Sequence, residues 1–292
     1  MTEKKRGLLR AYPNMKIYHY TTIDALALIL KSRKFRFSRL DRVDDLEEAR
    51  VNQGQKDFSK FLFVSCWTEN AEESIPLWKL YSGPQSGVRI GVEKEMFSGD
   101  YFIRVDKKNG NLIEIRNTLV PDDKIKDFFV LPLFDCNNAP FYRKVEYVDN
   151  LNEAASDLVK EESRVKEEKE DGSKLLDVEM NINMRKLGAI KHRRWAFQEE
   201  CRFSLFMVPG NPYVRNIEYA TSLIINSIRQ NIAVPFNYYD LPLSPIFFES
   251  LEITLAPNAL DSQRIIIESL CAVYAPHAII KDSSLRGKIA LK

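Results

Sequence analysis

The sequence predicts an α+β fold built on a mixed, mostly antiparallel sheet. Strand-like segments dominate the middle of the chain, helix-like segments lie between and after them, and no internal repeat is visible. Within this class we expect a loosely held arm over residues 1–15 and one α+β domain of catalytic type over residues 16–292. A charged helical insertion over residues 151–190 is expected to interrupt that domain.

The first predicted elements are a strand, a helix and two further strands. Lys16–Tyr20 is a short strand, after which Thr21 or Thr22 can cap a helix. That helix carries apolar residues at the spacing of one buried face: Ile23, Leu26, Ala27 and Leu30. Lys34–Ser38 alternates polar and apolar residues, as a half-buried strand does. Phe61–Cys66 is a continuous apolar run, which predicts a central strand.

The middle of the chain predicts a short helix and several strands. Ser74–Tyr81 is typical of a short helix with Pro76 in its first turn. The strands are Gly87–Val92, Tyr101–Val105, Leu112–Ile115 and Tyr142–Val148. The second and third of these flank Asn109-Gly110, which predicts a hairpin.

The segment from 151 to 190 differs in character from the predicted sheet. Lys160–Asp171 is mostly charge of mixed sign, a pattern typical of a solvated helix with ion pairs four residues apart. The sheet resumes at Glu200–Val208. The chain then closes with a strand, an amphipathic helix and a last strand: Leu251–Leu255, Ser262–Tyr274 and His277–Lys281.

Composition and charge exclude several function classes. The chain has 43 Lys+Arg and 41 Asp+Glu, so its surface lacks the single-sign field of a general nucleic-acid backbone binder. No apolar stretch approaches the roughly 20 residues that span a bilayer, and we expect neither a secretory signal nor a membrane partner. The 4 cysteines form no C-x-x-C pair and the 3 histidines no metal-ligand spacing. We therefore expect a cytoplasmic protein without a bound metal.

The most informative segment is Lys191–Phe203, where carboxylates enter an otherwise apolar strand. Because side chains alternate on a strand, Gln198, Glu200 and Arg202 are expected to share one face. Such a polar row is unfavourable to bury without partners or a purpose. The structural alternative is an edge strand in which Glu200 forms an ion pair with an arginine.

Two further segments bring polar or aromatic groups together. His19 stands at a strand end beside a predicted helix N-terminus, a place that favours an anionic or hydroxyl-rich ligand. A histidine there can equally bond a backbone carbonyl. Trp78 and Tyr81 share one helical face, which serves either core packing or ring stacking.

Taken together, these segments resemble the bacterial family known as domain of unknown function 2971. The matching segments are Tyr18–Thr21, Ile29–Leu30, Phe37–Ser38, Phe63–Cys66, Trp78–Tyr81, Gly87–Gly91, Trp195–Arg202 and Ile253–Ala259. The resemblance extends from about residue 16 to residue 281. Two positions depart from it: Arg42–Glu48 replaces an N-D-P-x-E turn, and Gln198 replaces the first glutamate of an E-x-E motif.

The same arrangement is similar to the ADP-ribosyltransferase superfamily, including its DNA-modifying toxins and RNA phosphotransferases. The resemblance implies that fold, an enzyme of the glycosyltransferase class, and NAD as its substrate. It implies that Glu200 is the carboxylate beside the ribose. Gln198 would orient the acceptor nucleophile, and His19 would bond a ribose or a phosphate.

The resemblance also implies a set of residues that bind NAD. Tyr81 or Tyr20 would stack on nicotinamide, and Thr21 belongs to the same motif as His19. Arg202 or Arg89 would pair with the pyrophosphate, because a guanidinium matches phosphate oxygens in two-point contacts.

The acceptor is left open by the sequence. Basic clusters at Lys4–Arg6 and Lys191–Arg194, the second next to Trp195, suit a nucleic acid, although such clusters also serve solubility. A protein acceptor and NAD hydrolysis are alternatives. By resemblance, the protein is expected to be a toxin or phage-defence effector, with an antitoxin or immunity protein as a further partner.

Two rival functions remain. A metal-dependent nucleotide or nucleic-acid hydrolase would hold magnesium on the acidic turn, through Asp41, Asp44, Asp45, Glu47 and Glu48. The other rival is a non-enzymatic protein that binds a nucleic acid or a nucleotide.

Overall fold

The computed structural model describes residues 15–50, 57–83, 86–98, 101–105, 112–117, 120, 127–131, 142–168, 174–183, 186–211 and 217–290. The strands are β1 (Lys16–Thr22), β2 (Lys34–Arg39), β3 (Leu62–Thr68), β4 (Gly87–Glu93), β5 (Tyr101–Val105), β6 (Leu112–Asn117), β7 (Phe128–Leu131), β8 (Tyr142–Lys144), β9 (Glu146–Val148), β10 (Val159–Glu168), β11 (Lys174–Ile182), β12 (Ile190–His192), β13 (Glu200–Pro209), β14 (Tyr238–Pro242), β15 (Glu252–Leu255) and β16 (Ile279–Lys281). The helices are α1 (Ile23–Ser32), α2 (Leu46–Arg50), α3 (Ile75–Tyr81), α4 (Leu151–Ala154), α5 (Ile217–Arg229), α6 (Pro245–Ser250) and α7 (Asp261–Tyr274).

Among these residues, ten strands form one mixed sheet in which all pairs except β15–β16 are antiparallel. The strand order is β14-β2-β3-β1-β4-β15-β16, and β13 pairs with the other edge of β3 and with β7 and β8. This confirms the predicted α+β class with its mostly antiparallel sheet. None of the described helices combines the length and hydrophobicity that a bilayer crossing requires.

A divergence of two strands creates the space for a site. β1 pairs with β3 at one position only, Tyr18 opposite Thr68. Beyond that pair β1 continues along β4, where Lys16 to Thr22 are all paired. β3 meanwhile stays paired with β13 along its whole length, from Leu62 to Thr68. A gap therefore opens between β1 and β3.

The core covers both faces of the central strands. On β13, Phe203, Leu205 and Met207 belong to one apolar cluster, and Phe206 and Val208 belong to a second. β3 divides its apolar side chains between the same two clusters. A strand buried on both faces has a continuous apolar sequence, which confirms the prediction of a central strand at Phe61–Cys66.

The prediction that residues 151–190 form a helical insertion is wrong. In the described part of this segment α4 is the one short helix, and β10 and β11 pair with each other as an antiparallel ribbon. Mixed charges four residues apart suit a helix, but the same charges also suit a solvated two-stranded ribbon. Asp171-Gly172, a frequent hairpin-turn dipeptide, is the signal in the sequence that favours a ribbon.

Other predicted elements differ less. The predicted strand Tyr142–Val148 is divided into β8, which pairs with β13, and β9, which pairs in parallel with β12. The predicted hairpin strands are present as the antiparallel pair β5–β6. The predicted Asn109-Gly110 turn, the Lys4–Arg6 cluster and residues 1–14 of the predicted arm (1–15) lie outside the described residues.

The cap of α1 gives a test of this local structure. Thr22, and not Thr21, caps the helix: its Oγ1 accepts a hydrogen bond from the Ala25 amide at 3.2 Å. We expect Thr22→Ala to lower the free energy of unfolding by about 1 kcal/mol, because one amide at the helix start loses its partner. Urea denaturation measures the change, and Thr21→Ala is the matched control. An equal loss in both variants would contradict the capping assignment.

Candidate active site

A cavity of about 120 Å³ occupies the gap between β1 and β3. Six of the eight residues that the sequence predicts for the site line it: His19, Tyr20, Tyr81, Gln198, Glu200 and Arg202. The other two lie elsewhere. Thr21 pairs with Val88 along β4, and Arg89 packs against the Tyr18 ring at 4.3 Å and donates to the Ala71 carbonyl at 3.0 Å.

Glu200 is a buried carboxylate held between two cations. It is 5% exposed, as the first residue of β13. Its Oε2 accepts from Lys191 Nζ at 2.7 Å, and its Oε1 accepts from Arg202 Nε at 2.8 Å. Burial alone would raise the pKa of Glu200, but the charges of Arg202 and Lys191 outweigh it and lower the pKa to about 2. Glu200 is therefore ionised at neutral pH.

Arg202 is fully engaged within the protein. It is 1% exposed and also donates to both carboxylate oxygens of Glu48 and, at 2.9 Å, to the Gly188 carbonyl. Glu48, Arg202, Glu200 and Lys191 thus form a buried row of alternating charge, which we call the charge network. This geometry gives the predicted contact of Arg202 with a pyrophosphate no support, because all of its guanidinium nitrogens already have partners within the protein.

Gln198 lines the cavity, but it does not lie on the strand that the sequence predicts for it. It ends a 3-10 turn, Arg193–Gln198, and Glu199 after it adopts a left-handed conformation with φ 42°. The prediction that Gln198 shares a strand face with Glu200 and Arg202 is therefore wrong. Its Oε1 accepts from Lys191 at 2.7 Å and its Nε2 donates to the Tyr81 hydroxyl at 2.6 Å.

Tyr81 extends this chain of hydrogen bonds towards solvent. Its hydroxyl donates to Asp44 Oδ2 at 2.8 Å, and Asp44 is exposed at the cavity wall. Burial and the neighbouring Asp44 raise the pKa of Tyr81, so the phenol stays protonated. Hydrogen bonds thereby connect Glu200, through Lys191 and Gln198, to a carboxylate at the surface.

His19 compensates for the divergence of β1 and β3. Its Nδ1 lies 2.8 Å from the Cys66 carbonyl on β3. Because a carbonyl only accepts, Nδ1 carries the proton. Burial lowers the pKa of His19, although the bond to the carbonyl opposes the change, so the ring is neutral with a lone pair on Nε2. The structural alternative for His19, a bond to a backbone carbonyl, is thus present in a residue that also lines the cavity.

Aromatic side chains form the remainder of this region. Trp78 is fully buried in the core, edge-on to Tyr20 at 4.9 Å. Trp67 lines the cavity and packs against His19 with ring centroids 5.1 Å apart. Cys66 also lines the cavity, and burial raises the pKa of its thiol well above the usual range. That thiol is therefore protonated and a poor nucleophile.

The acidic turn does not assemble as a metal site. Its carboxylates have separate partners: Asp41 pairs with Arg39, Asp44 with Tyr81, Asp45 with the first amides of α2, Glu47 with Arg194, and Glu48 with Arg202. Across the described part of the chain, no group of three or more His, Cys, Asp or Glu side chains is placed to hold a metal ion. This geometry gives the metal-dependent hydrolase no support.

The side chains of the basic segment Lys191–Arg194 likewise have separate partners. Lys191 is buried in the charge network, whereas Arg193 pairs with Asp149 at 2.8 Å and Arg194 with Glu47 at 3.4 Å. Sequence reasoning therefore did not place three residues of the cavity wall and the charge network: Asp44, Glu48 and Lys191. The sequence offered Lys191 for nucleic-acid binding or solubility and offered Glu48 and Asp44 only for the rival metal site. No local signal shows which distant side chains these residues meet.

Comparison with known proteins supports part of the family resemblance. The model of the family described as "Protein of unknown function (DUF2971)" matches residues 77–203. This segment contains Tyr81, Gln198, Glu200 and Arg202. No curated protein and no solved structure matches the chain.

Because the charge network is buried, we predict that removing one of its charges lowers the stability of the protein strongly. Lys191→Met is expected to lower the free energy of unfolding by about 3–5 kcal/mol, because a buried carboxylate loses a partner. Lys186→Met, which removes the exposed pair with Asp157, is the control and should cost at most about 1 kcal/mol. Urea denaturation of both variants measures the difference. Similar small losses would show that Lys191 does not stabilise a buried charge.

The lowered pKa of His19 predicts that the stability of the protein depends on pH. A folded-state pKa below the unfolded value near 6.5 means that the unfolded chain binds the proton first. The free energy of unfolding should then fall as the pH drops below about 6.5, by up to about 1.4 kcal/mol per unit. His19→Asn, which keeps an N–H near the Nδ1 position, should show a smaller fall between pH 7.5 and 5.5. Identical pH dependence in both proteins would contradict a neutral His19 in the folded protein.

Proposed function

We propose that this protein is an NAD-dependent ADP-ribosyltransferase that cleaves the nicotinamide–ribose bond in the cavity between β1 and β3. One observation carries the proposal: His19 near the amino end and Glu200 on a late strand line the same cavity.

The state of Glu200 suits this reaction. Loss of nicotinamide gives the ribose an oxocarbenium-like positive charge, which a fixed carboxylate stabilises. Lys191 and Arg202 keep Glu200 ionised and fix its position before substrate arrives. The carboxylate still reaches the cavity wall, so a ribose can lie beside it.

The remaining walls suit the other parts of the nicotinamide riboside. The neutral ring of His19 can accept a hydrogen bond at Nε2, which favours a ribose hydroxyl over a phosphate. Trp67 and Leu77 supply apolar surface for a flat aromatic ring. Tyr81, whose hydroxyl is bound on both sides, serves in positioning rather than stacking.

The biological setting follows from the resemblance alone. A role as a toxin or phage-defence effector, a nucleic acid or protein as acceptor, and an antitoxin or immunity partner belong to this proposal. The division of the Lys191–Arg194 cluster removes Lys191 from any nucleic-acid surface, whereas Arg193 and Arg194 remain largely exposed.

A second candidate is a protein that binds NAD or a related nucleotide without cleaving it. The observation that favours it is the saturation of Glu200, both of whose oxygens accept from cations. Such pairing reduces the negative charge that a developing oxocarbenium ion experiences.

Release of labelled nicotinamide from NAD tests the proposal. We expect Glu200→Gln to lower the release rate about 10²–10³-fold, because the transition state loses its carboxylate. Glu199→Gln is the matched control, since that exposed side chain bonds Asn70 at 3.0 Å and does not line the cavity. Circular dichroism and urea denaturation confirm that each variant is folded at the assay temperature.

The outcomes separate the two candidates. Release by the wild-type protein and the Glu199 variant, with loss in the Glu200 variant, supports the transferase. Quenching of Trp67 fluorescence by NAD without release supports the binding protein. Equal release by the wild type and Glu200→Gln contradicts the role of Glu200.

A further inference from the structure

We infer that Asp44 is the base that accepts the proton of the acceptor nucleophile, with Tyr81 holding it in position. This inference rests on the proposed function and identifies a second catalytic group within the same cavity. The resemblance implies that Gln198 orients the acceptor nucleophile. Our inference gives this task to Asp44 and Tyr81 instead.

Both ends of the Gln198 side-chain amide already have a partner within the protein. Its carbonyl oxygen binds Lys191 at 2.7 Å and its amide nitrogen binds Tyr81 at 2.6 Å, and the side chain is buried. The next group along the same chain of hydrogen bonds is the Tyr81 hydroxyl, which donates to Asp44. We therefore assign the orientation of the acceptor nucleophile to Tyr81 and Asp44, which lie further along this chain of hydrogen bonds than Gln198.

Asp44 has the exposure and the free oxygen that a base requires. The carboxylates at the cavity wall are Asp44 and Glu200, and only Asp44 is exposed. Tyr81 occupies Oδ2, and no hydrogen bond from the described residues reaches Oδ1. By contrast, Lys191 and Arg202 occupy both oxygens of Glu200.

The chemistry balances without a further reactant. The bond between the ribose C1′ and nicotinamide breaks, and its electron pair leaves with the neutral nicotinamide. A lone pair of the acceptor forms the new bond to C1′, and the acceptor proton passes to Asp44 Oδ1. Proton transfer to a positioned base typically contributes about 10²–10⁴-fold to a rate.

The position of Asp44 also defines the class of acceptor. A hydroxyl, an amine or water carries a proton that Asp44 can remove. A carboxylate acceptor has no such proton and would approach the like charge of Asp44 at the cavity mouth. The structure therefore favours neutral, proton-bearing nucleophiles over acidic ones.

NAD with methanol as the acceptor tests the assignment. We expect Asp44→Asn to lower the rate of methyl ADP-ribose formation at least about 10²-fold while the KM for NAD stays unchanged, because the variant keeps the shape but loses the base. Tyr81→Phe should give a smaller loss. Glu47→Gln, an exposed carboxylate of the same turn paired with Arg194, is the matched control and should keep the wild-type rate.

Acetate in place of methanol tests the acceptor class, and we expect no acetyl-linked product. Equal rates in the wild type and Asp44→Asn would overturn the assignment of Asp44 while leaving NAD cleavage intact. Preferential transfer to acetate would overturn the acceptor class. Absence of nicotinamide release from the wild type would overturn the proposed function and this inference with it.

Discussion

The ionised Glu200 carboxylate, buried between Lys191 and Arg202, is the interaction on which the rest of this structure depends. A charge leaves water at a cost of several kcal/mol, which only close and well-oriented partners offset. Here Glu200 pairs with Lys191 from β12 and Arg202 from β13, and Arg202 in turn pairs with Glu48 from α2. The charge network therefore fixes how the acidic turn, the 3-10 turn and the central strands meet.

Buried ion pairs are seldom the most stabilising way to fill a core, since apolar residues of the same volume often do as well. A charge network at the wall of a cavity consequently favours a functional explanation. In this protein the network holds an anion rigidly beside the gap between β1 and β3, where an aromatic wall and a neutral histidine are also found. Rigid placement of charge is what electrostatic stabilisation of a transition state requires.

The same gap explains the position of His19. Two strands that part after a single pair leave a carbonyl without its ladder partner, and an unpaired buried carbonyl is unfavourable. His19 donates to the Cys66 carbonyl and so satisfies the backbone while lining the cavity. His19 thus satisfies the backbone and lines the site, and its ring stays neutral because burial lowers its pKa.

Sequence patterns predicted the elements whose formation is local. Apolar spacing gave α1, alternation gave β2, and the continuous apolar runs gave β3 and β13. The ribbon β10–β11 was missed because its charges satisfy helical and extended spacing alike. Lys191 and Glu48 were misassigned because their partners depend on the order of strands around β3, which has three neighbours. The left-handed Glu199, which takes Gln198 off the strand, has no counterpart in the local sequence pattern.

A crystal structure of the protein with NAD tests the central claim most directly. The account predicts the nicotinamide ribose inside the cavity between β1 and β3, with a hydroxyl within hydrogen-bond distance of Glu200. Glu200 should also keep its contacts to Lys191 and Arg202 in that complex. An empty cavity with NAD bound at another surface, or a side-chain arrangement that fills the space beside Glu200, would contradict it.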